Sequence, residues 1–166
     1  SLFEIGCGSG ANLVNIIKHF PDKKMQLGGI DIAPDAIKVA YEVLQGGVFK
    51  VGAGDDVMMS DKSTDVVLTD MCLIYVDPSK IDAYMKEIKR LARNYVILCE
   101  FHSKSWLKRL ALRLHSGYYA YNYIKLLRKY DFYDIIMVKI PEEAWPGGEP
   151  QKTFGYIIKA KVSPYK

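Results

Sequence analysis

Three glycines alternate near the start of the chain, Gly6, Gly8 and Gly10, within Phe3-Glu4-Ile5-Gly6-Cys7-Gly8-Ser9-Gly10. A short apolar run precedes them and a helical pattern follows, so they read as the turn between a strand and a helix. Glycine in that context lets the chain turn sharply and brings backbone N–H groups close to a ligand at a helix N-terminus. Asp31 ends the next strand-like run, about 20 residues on, where a carboxylate can bind both hydroxyls of a ribose. The glycine loop and the acid together describe a site for a nucleoside cofactor. Gly6, Gly8 and Ala11 also satisfy the dinucleotide pattern G-x-G-x-x-A, so a nicotinamide-dependent oxidoreductase is the first rival reading.

Further chemistry is expected where the later strands end, because ligands of an open α/β sheet gather beyond the carboxyl ends of its strands. Those ends are Asp70-Met71-Cys72 and Glu100-Phe101-His102. His102 is the candidate general base, since an imidazole titrates near pH 6.5, at about the pH where such a base works. Asp70 and Glu100 would orient that base or the substrate. The plainer alternatives are a capping or surface histidine and two capping carboxylates. Cys72 has no histidine near it in sequence and reads as a small buried residue, while His19 and His115 read as solvent-facing helix residues. The three cysteines, Cys7, Cys72 and Cys99, are far apart and form no CxxC pair. No metal site and no disulfide framework are expected, and a reducing, cytoplasmic setting follows.

These groups must be positioned by alternating strands and helices. Leu2–Ile5 is a strand, and Leu13, Ile16, Ile17 and Phe20 recur at helical spacing up to Pro21-Asp22. Residues 26–32 form a second strand, Pro34 opens a second helix, and Val48–Val51 and Asp65–Thr69 are the third and fourth strands. Pro78 is expected to open a third helix with Ile81, Tyr84, Met85, Ile88 and Leu91 inward, before a fifth strand at Tyr95–Cys99. Two further runs, Phe132–Ile140 and Phe154–Val162, flank a turn-rich stretch and read as an antiparallel hairpin. The expected fold is α/β: a Rossmann-like, doubly wound sheet, mostly parallel, with that hairpin at the C-terminal edge. At 166 residues, 49% hydrophobic and 25% charged, the chain has the size and composition of one domain, and no boundary divides it. It opens directly on a strand, so a missing N-terminal segment is expected. No apolar run approaches the roughly 20 residues that span a bilayer.

The run from Phe3 to Gly10 resembles motif I of the class I S-adenosylmethionine-dependent methyltransferases, an acidic residue followed by G-x-G-x-G. Gly29-Ile30-Asp31-Ile32-Ala33-Pro34 is similar to the second-strand motif of that family. The resemblance implies that Glu4, Gly6, Cys7, Gly8 and Gly10 shape the cofactor loop. It also implies that Asp31 holds the ribose and Ile32 packs on the adenine. Glu4 favours a cationic sulfonium over a pyrophosphate, which a carboxylate repels. Gly54-Asp55-Asp56-Val57 looks like the adenine-binding turn. Counting back from Asp65 puts Ala53 at the acidic position, but Asp55, with Asp56 beside it, is preferred because only a carboxylate accepts from the exocyclic amine. Leu73-Ile74-Tyr75-Val76-Asp77-Pro78 and the run from Arg93 to Phe101 resemble methyltransferases associated with pseudaminic-acid and similar sugar biosynthesis. The implied activity is methyl transfer from S-adenosylmethionine to a small-molecule acceptor, anionic or sugar-like. A non-catalytic binding module of the same fold is a further alternative.

The net charge of +4 is mild, yet residues 101–130 hold seven Lys or Arg and no acid. This segment is expected to be a substrate-side insertion whose tyrosines and cations wall the acceptor site. The plain reading is a solvated basic face with its leucines and tyrosines packed in the core. Ser105 is placed to cap a helix carrying Trp106, Leu107, Leu110, Ala111 and Leu114. No nucleic-acid partner is expected, because no recognition motif accompanies the charge.

Overall fold

The computed structural model describes residues 1–144 and 149–163. The chain alternates as the patterns require: β1 (Leu2–Ile5), α1 (Ala11–His19), β2 (Leu27–Asp31), α2 (Pro34–Val43), β3 (Val48–Val51) and β4 (Thr64–Asp70). It continues through α3 (Ile81–Leu91), β5 (Ala92–Phe101), α4 (Trp106–Ser116), α5 (Tyr123–Lys129), β6 (Phe132–Lys139), the single turn α6 (Gln151–Phe154) and β7 (Gly155–Val162). Among the described residues the strands form one sheet in the order β3-β2-β1-β4-β5-β7-β6. β1 to β5 are parallel, and β7 runs antiparallel to both β5 and β6. The hairpin therefore folds back so that its second strand pairs with β5 and its first becomes the edge. Part of the turn-rich stretch, residues 145–148, lies outside the described residues.

The order reverses direction at β1, which pairs with β2 on one side and β4 on the other. Crossovers leave on opposite faces at that point, and a crevice opens beyond the carboxyl ends of the flanking strands. The core lies on both faces of the sheet. One cluster joins Phe3, Ile5, Val67, Val96 and Leu98 with Met85, Ile88 and Leu91 of α3 and Tyr123 and Leu127 of α5. A second packs Leu13 of α1 and Ile37, Ala40 and Leu44 against Leu27 and Phe49. Burying a leucine or isoleucine of this kind stabilises by roughly 1.5–3 kcal/mol, so the sheet is a firm base for the loops at its edge.

Two elements differ from the sequence reading. The third helix starts at Ile81, not at Pro78. Asp77 Oδ1 accepts from the Ser79 backbone N–H and hydroxyl, a local turn that competes with the helix start. The second difference is the direction α4 faces. Ser105 caps it, accepting from Lys108 N, but only Leu112 is buried. Leu112 packs with Ile74, Phe101, Ala120 and Phe154, whereas Trp106, Leu107, Leu110 and Leu114 face outward. The tyrosines do pack inward: Tyr121 and Tyr123 are buried.

Candidate functional site

The glycine loop needs its glycines for different reasons. All three adopt left-handed φ, +76° at Gly6, +50° at Gly8 and +82° at Gly10, a region that side chains disfavour. Gly6 also lies against Cys72, where an added Cβ would stand 2.5 Å from the Cys72 side chain. Gly10 packs on Ala40 of α2 and on Leu44 just beyond its end. Gly8 faces open space, with nothing within 4 Å of a Cβ built there. The loop is tied to β2 by Gly6 N and Cys7 N, both donating to Ile30 O.

Asp31 braces the loop from the end of β2. Its Oδ2 accepts from Gly8 N at 2.8 Å and its Oδ1 from Ala33 N at 2.9 Å. Each carboxylate oxygen has a second lone pair, so both can still accept from a diol. Ile32 is 75% exposed, an apolar side chain left uncovered at the edge of the same cleft. That cleft, about 610 Å³, is lined by Gly6, Asp31, Ile32, Gly52, Ala53, Gly54, Asp70, Met71 and Cys72, with Tyr75, Asp77 and Lys80 on its exposed rim. Gly54 leaves no room for a side chain, since a Cβ would stand 2.1 Å from Ile5 Cγ2. Beyond the end of β3, Gly52, Ala53 and Gly54 line the cleft, and Ala53 brings the one side chain among them. Asp55 and Asp56 follow them and do not line it.

Glu4 lies behind the loop, 1% exposed. Its Oε1 accepts from the Asn12 side-chain amide at 2.7 Å, and Asn12 donates equally to Asp70 Oδ2 at 3.0 Å. Glu4 Oε2 is buried with no hydrogen-bond partner. Burial is the main reason that the Glu4 carboxyl is pushed up to about 7, with repulsion from Asp70 and Asp31 adding to it. Three carboxylates thus converge on one glycine loop. That field suits a cation and opposes a pyrophosphate, which weighs against the dinucleotide alternative. Cys7 is buried among these groups, its thiol pushed up to about 12, chiefly by burial. It is an inert packing residue.

The three candidate catalytic residues part company. Asp70 lines the donor cleft. Glu100 is fully buried beneath it: Oε1 accepts from Cys72 N and Leu73 N at 3.1 Å each, Oε2 has no partner, and burial pushes the carboxyl up to about 8. Glu100 holds the loop that packs on Gly6 and does not line the cleft. His102 is not brought to this cleft. It is buried, its Nδ1 accepts from Tyr123 N at 3.2 Å, and it lines a different cleft with Ser103, Lys104, Lys108 and Tyr156. Burial, then the charges of Lys104 and Arg109, hold the imidazole down at about 4. Among the described residues no group of His, Cys, Asp and Glu could hold a metal ion.

Sequence reasoning missed Asn12 and Tyr84. Asn12 is two residues past the last loop glycine, so its place at the first turn of α1 was the available signal. Tyr84 lines the cleft from α3, where its helical spacing marked it only as core. A second cleft of about 560 Å³ adjoins the rim, lined by Arg109, Arg113, Lys125 and Lys129, the last paired with Asp82 on the same wall, together with Leu110, Leu126 and Tyr121. The two clefts meet where the Tyr119 hydroxyl donates to Asp77 Oδ2 at 2.6 Å.

Residues 2–94 match the family model described as a methyltransferase domain. No curated protein matches the chain. Among solved structures it is similar to an S-adenosylmethionine-dependent methyltransferase from Methanosarcina mazei, with 19% identity and a TM-score of 0.69 over 96% of this chain and 91% of that one. It is also similar to geranyl diphosphate C-methyltransferase from Streptomyces coelicolor A3(2), solved with Mg2+, geranyl diphosphate and S-adenosyl-L-homocysteine. That likeness has 11% identity and a TM-score of 0.72 over 98% and 72% of the two chains. A third is magnesium protoporphyrin IX methyltransferase from Synechocystis PCC 6803 with bound S-adenosylmethionine, with 18% identity and a TM-score of 0.65 over 98% and 69%. At these identities the shared property is the fold. With more than half its length matched by the family model, the chain belongs to the methyltransferase domain family, the class I fold that takes its methyl group from S-adenosylmethionine.

Proposed function

We propose that this chain transfers a methyl group from S-adenosylmethionine to an anionic small-molecule acceptor. The observation that carries the reading is the convergence of Glu4, Asp31 and Asp70 on a loop whose Gly8 faces open space. The residues fit the donor. Asp31 would take the ribose hydroxyls, Ile32 would cover one face of the adenine, Gly52 to Gly54 would border its edge, and the carboxylates would balance the positive charge. The donor supplies an already activated methyl group, so the protein contributes chiefly proximity and orientation.

The chain's own residues then have plain tasks. Glu100 fixes Cys72 and Leu73, and Cys72 fixes Gly6, which sets the wall facing the methyl group. Asp70 is the carboxylate at that wall and can accept a proton or orient the acceptor's nucleophilic atom. Tyr75 stands on the rim, 68% exposed, with its ring edge-on to Tyr118. The acceptor would lie in the adjoining cleft, whose volume suits a small ligand and whose cations favour an anion. Calorimetry with S-adenosylhomocysteine and with NADH tests the donor: binding of the first alone supports the reading, and binding of NADH overturns it. Labelled methyl transfer to a panel of small carboxylates, phosphates and sugars tests the acceptor, and a preference for neutral compounds removes the anionic assignment.

A further inference from the structure

We propose that α4 docks this protein on an anionic lipid bilayer. The helix is inverted with respect to its own domain. On a wheel of 100° per residue, Trp106, Leu110, Leu114 and Leu107 span about 100°, and the middle of that stripe lies about 170° from Leu112. Leu112 is the residue buried against the domain, so the apolar stripe points straight out. Its side chains are 64%, 47%, 78% and 59% exposed in that order. A surface helix normally turns such a stripe to the core, and a contiguous outward one marks an interaction site.

Charge selects the partner. Arg113 borders the stripe on one side with Arg109 beyond it, and Lys104 stands exposed just before the helix. Residues 101–130 carry seven cations and no acid. The nearby carboxylates are already engaged: Asp77 by the Tyr119 hydroxyl, and Asp82 by Lys129 and Tyr130. A second copy docked by the same face would bring no acid from this segment to meet those cations. A bilayer carrying anionic headgroups answers both features. Its interface takes the Trp and Leu side chains while its phosphates meet the flanking Lys and Arg. The helix would lie on the surface, and among the described residues no helix is long and apolar enough to cross a membrane.

α4 begins at the carboxyl end of β5, the edge that holds the donor cleft, and its Arg109, Leu110 and Arg113 also line the second cleft. Docking would therefore hold that cleft at the lipid surface. The inference does not depend on which acceptor is methylated.

The test is partition of this 166-residue chain, with Trp145→Phe so that Trp106 reports alone, onto phosphatidylcholine vesicles with and without phosphatidylglycerol. The expected result is binding to the anionic vesicles with a blue shift of Trp106 emission, and little binding to phosphatidylcholine alone. Leu107→Glu with Leu114→Glu should lower partition at least tenfold while affinity for S-adenosylhomocysteine and the thermal unfolding midpoint stay unchanged. Lys104→Gln, a milder change, should lower it roughly fivefold and reduce its salt sensitivity. Absence of partition at low salt overturns the proposal, as does partition that ignores these substitutions. A dimer that the Leu107→Glu, Leu114→Glu variant dissociates would assign the face to a second copy instead. Emission already blue-shifted without vesicles would show that the face is covered within the chain, and the proposal would fall.

Discussion

Glu4 and Asp70, on neighbouring strands β1 and β4, are held together by one amide, the Asn12 side chain at 2.7 Å from the first and 3.0 Å from the second. The pair shares a single neutral donor, and half of the Glu4 carboxylate has no partner at all. The site is thus short of positive charge.

The first prediction follows from that shortage. Glu4 titrates at about 7 in the free protein, and a cationic ligand beside it favours the ionised form. Binding of S-adenosylmethionine, whose sulfonium is that cation, should then release a proton, and its affinity should rise with pH up to about 7 and level off above it. Glu4→Gln should flatten the profile and weaken binding at pH 8. Calorimetry from pH 5.5 to 8.5 checks this, and a wild-type profile that is level throughout contradicts it.

The glycines separate loop shape from ligand room. Gly6→Ala puts a methyl group 2.5 Å from Cys72, so the protein should lose stability, by roughly 1–3 kcal/mol for an overpacked site. Gly8→Ala meets nothing, and costs only the left-handed φ, roughly 1–2 kcal/mol. It should nonetheless lose cofactor affinity, because its methyl group occupies the space in front of the loop. Thermal unfolding and cofactor binding measured on both variants should rank them in opposite order.

Asp31→Ala should affect more than the ribose contact. It removes the acceptor from Gly8 N and Ala33 N, and buried or half-buried orphan donors cost about 1–3 kcal/mol each. Chemical denaturation should show a loss at the lower end of that range, since Ala33 N can turn to water. Asp31→Asn keeps one acceptor oxygen and should recover part of the stability with less of the affinity.

Glu100 makes folding sensitive to pH in the direction opposite to a surface carboxylate. Its ordinary value is 4.5, while in the fold it keeps its proton to about 8. Folding takes up a proton between those values, so stability is greatest at low pH for this group and is lost as pH rises toward 8, by up to about 1.4 kcal/mol per pH unit. Glu100→Gln can still accept from Cys72 N and Leu73 N. Its unfolding midpoint should exceed that of the wild type at pH 8 and vary less between pH 5 and 8.

His102 should be dispensable as a base. With its imidazole at about 4 it is neutral across the working range, and His102→Asn preserves an acceptor for Tyr123 N. Methyl transfer by that variant should stay within about threefold of wild type with the same pH profile, whereas loss of a limb near pH 6.5, on the order of the free imidazole value, would return His102 to the chemistry.

What was legible in the sequence was what is local. The glycine loop, Asp31 and Pro34 are read from a strand, a turn and a helix start in consecutive residues, and each occupies the expected place. The family match likewise ends at residue 94, before most of β5 and all of the segment that builds the second cleft. In the turn after β3 a carboxylate was preferred, Asp55, whereas the residues that line the cleft there are Gly52, Ala53 and Gly54. His102 was misplaced for a non-local reason: its partners Tyr121 and Tyr123 arrive from beyond α4. The apolar period of α4 was plain, but a period fixes only which residues share a face. Which way that face points is decided by Leu112 and the pocket formed by Ile74, Phe101 and Phe154.

The placement of β7 between β5 and β6 governs how the chain can come to be folded during synthesis. Tyr95 to Phe101 pair with Gly155 to Lys161, partners separated by some of the longest stretches in the chain. When β1 to β5 have left the ribosome, β5 is an outer strand whose Val96, Ile97 and Leu98 backbone groups have no neighbour on one side. Such an edge pairs readily with other chains, and translation at about 5–20 residues per second leaves it open for several seconds before β7 emerges. The strand that completes the sheet is thus also its guard against aggregation, and a nascent chain stalled before residue 155 would carry an open hydrophobic edge.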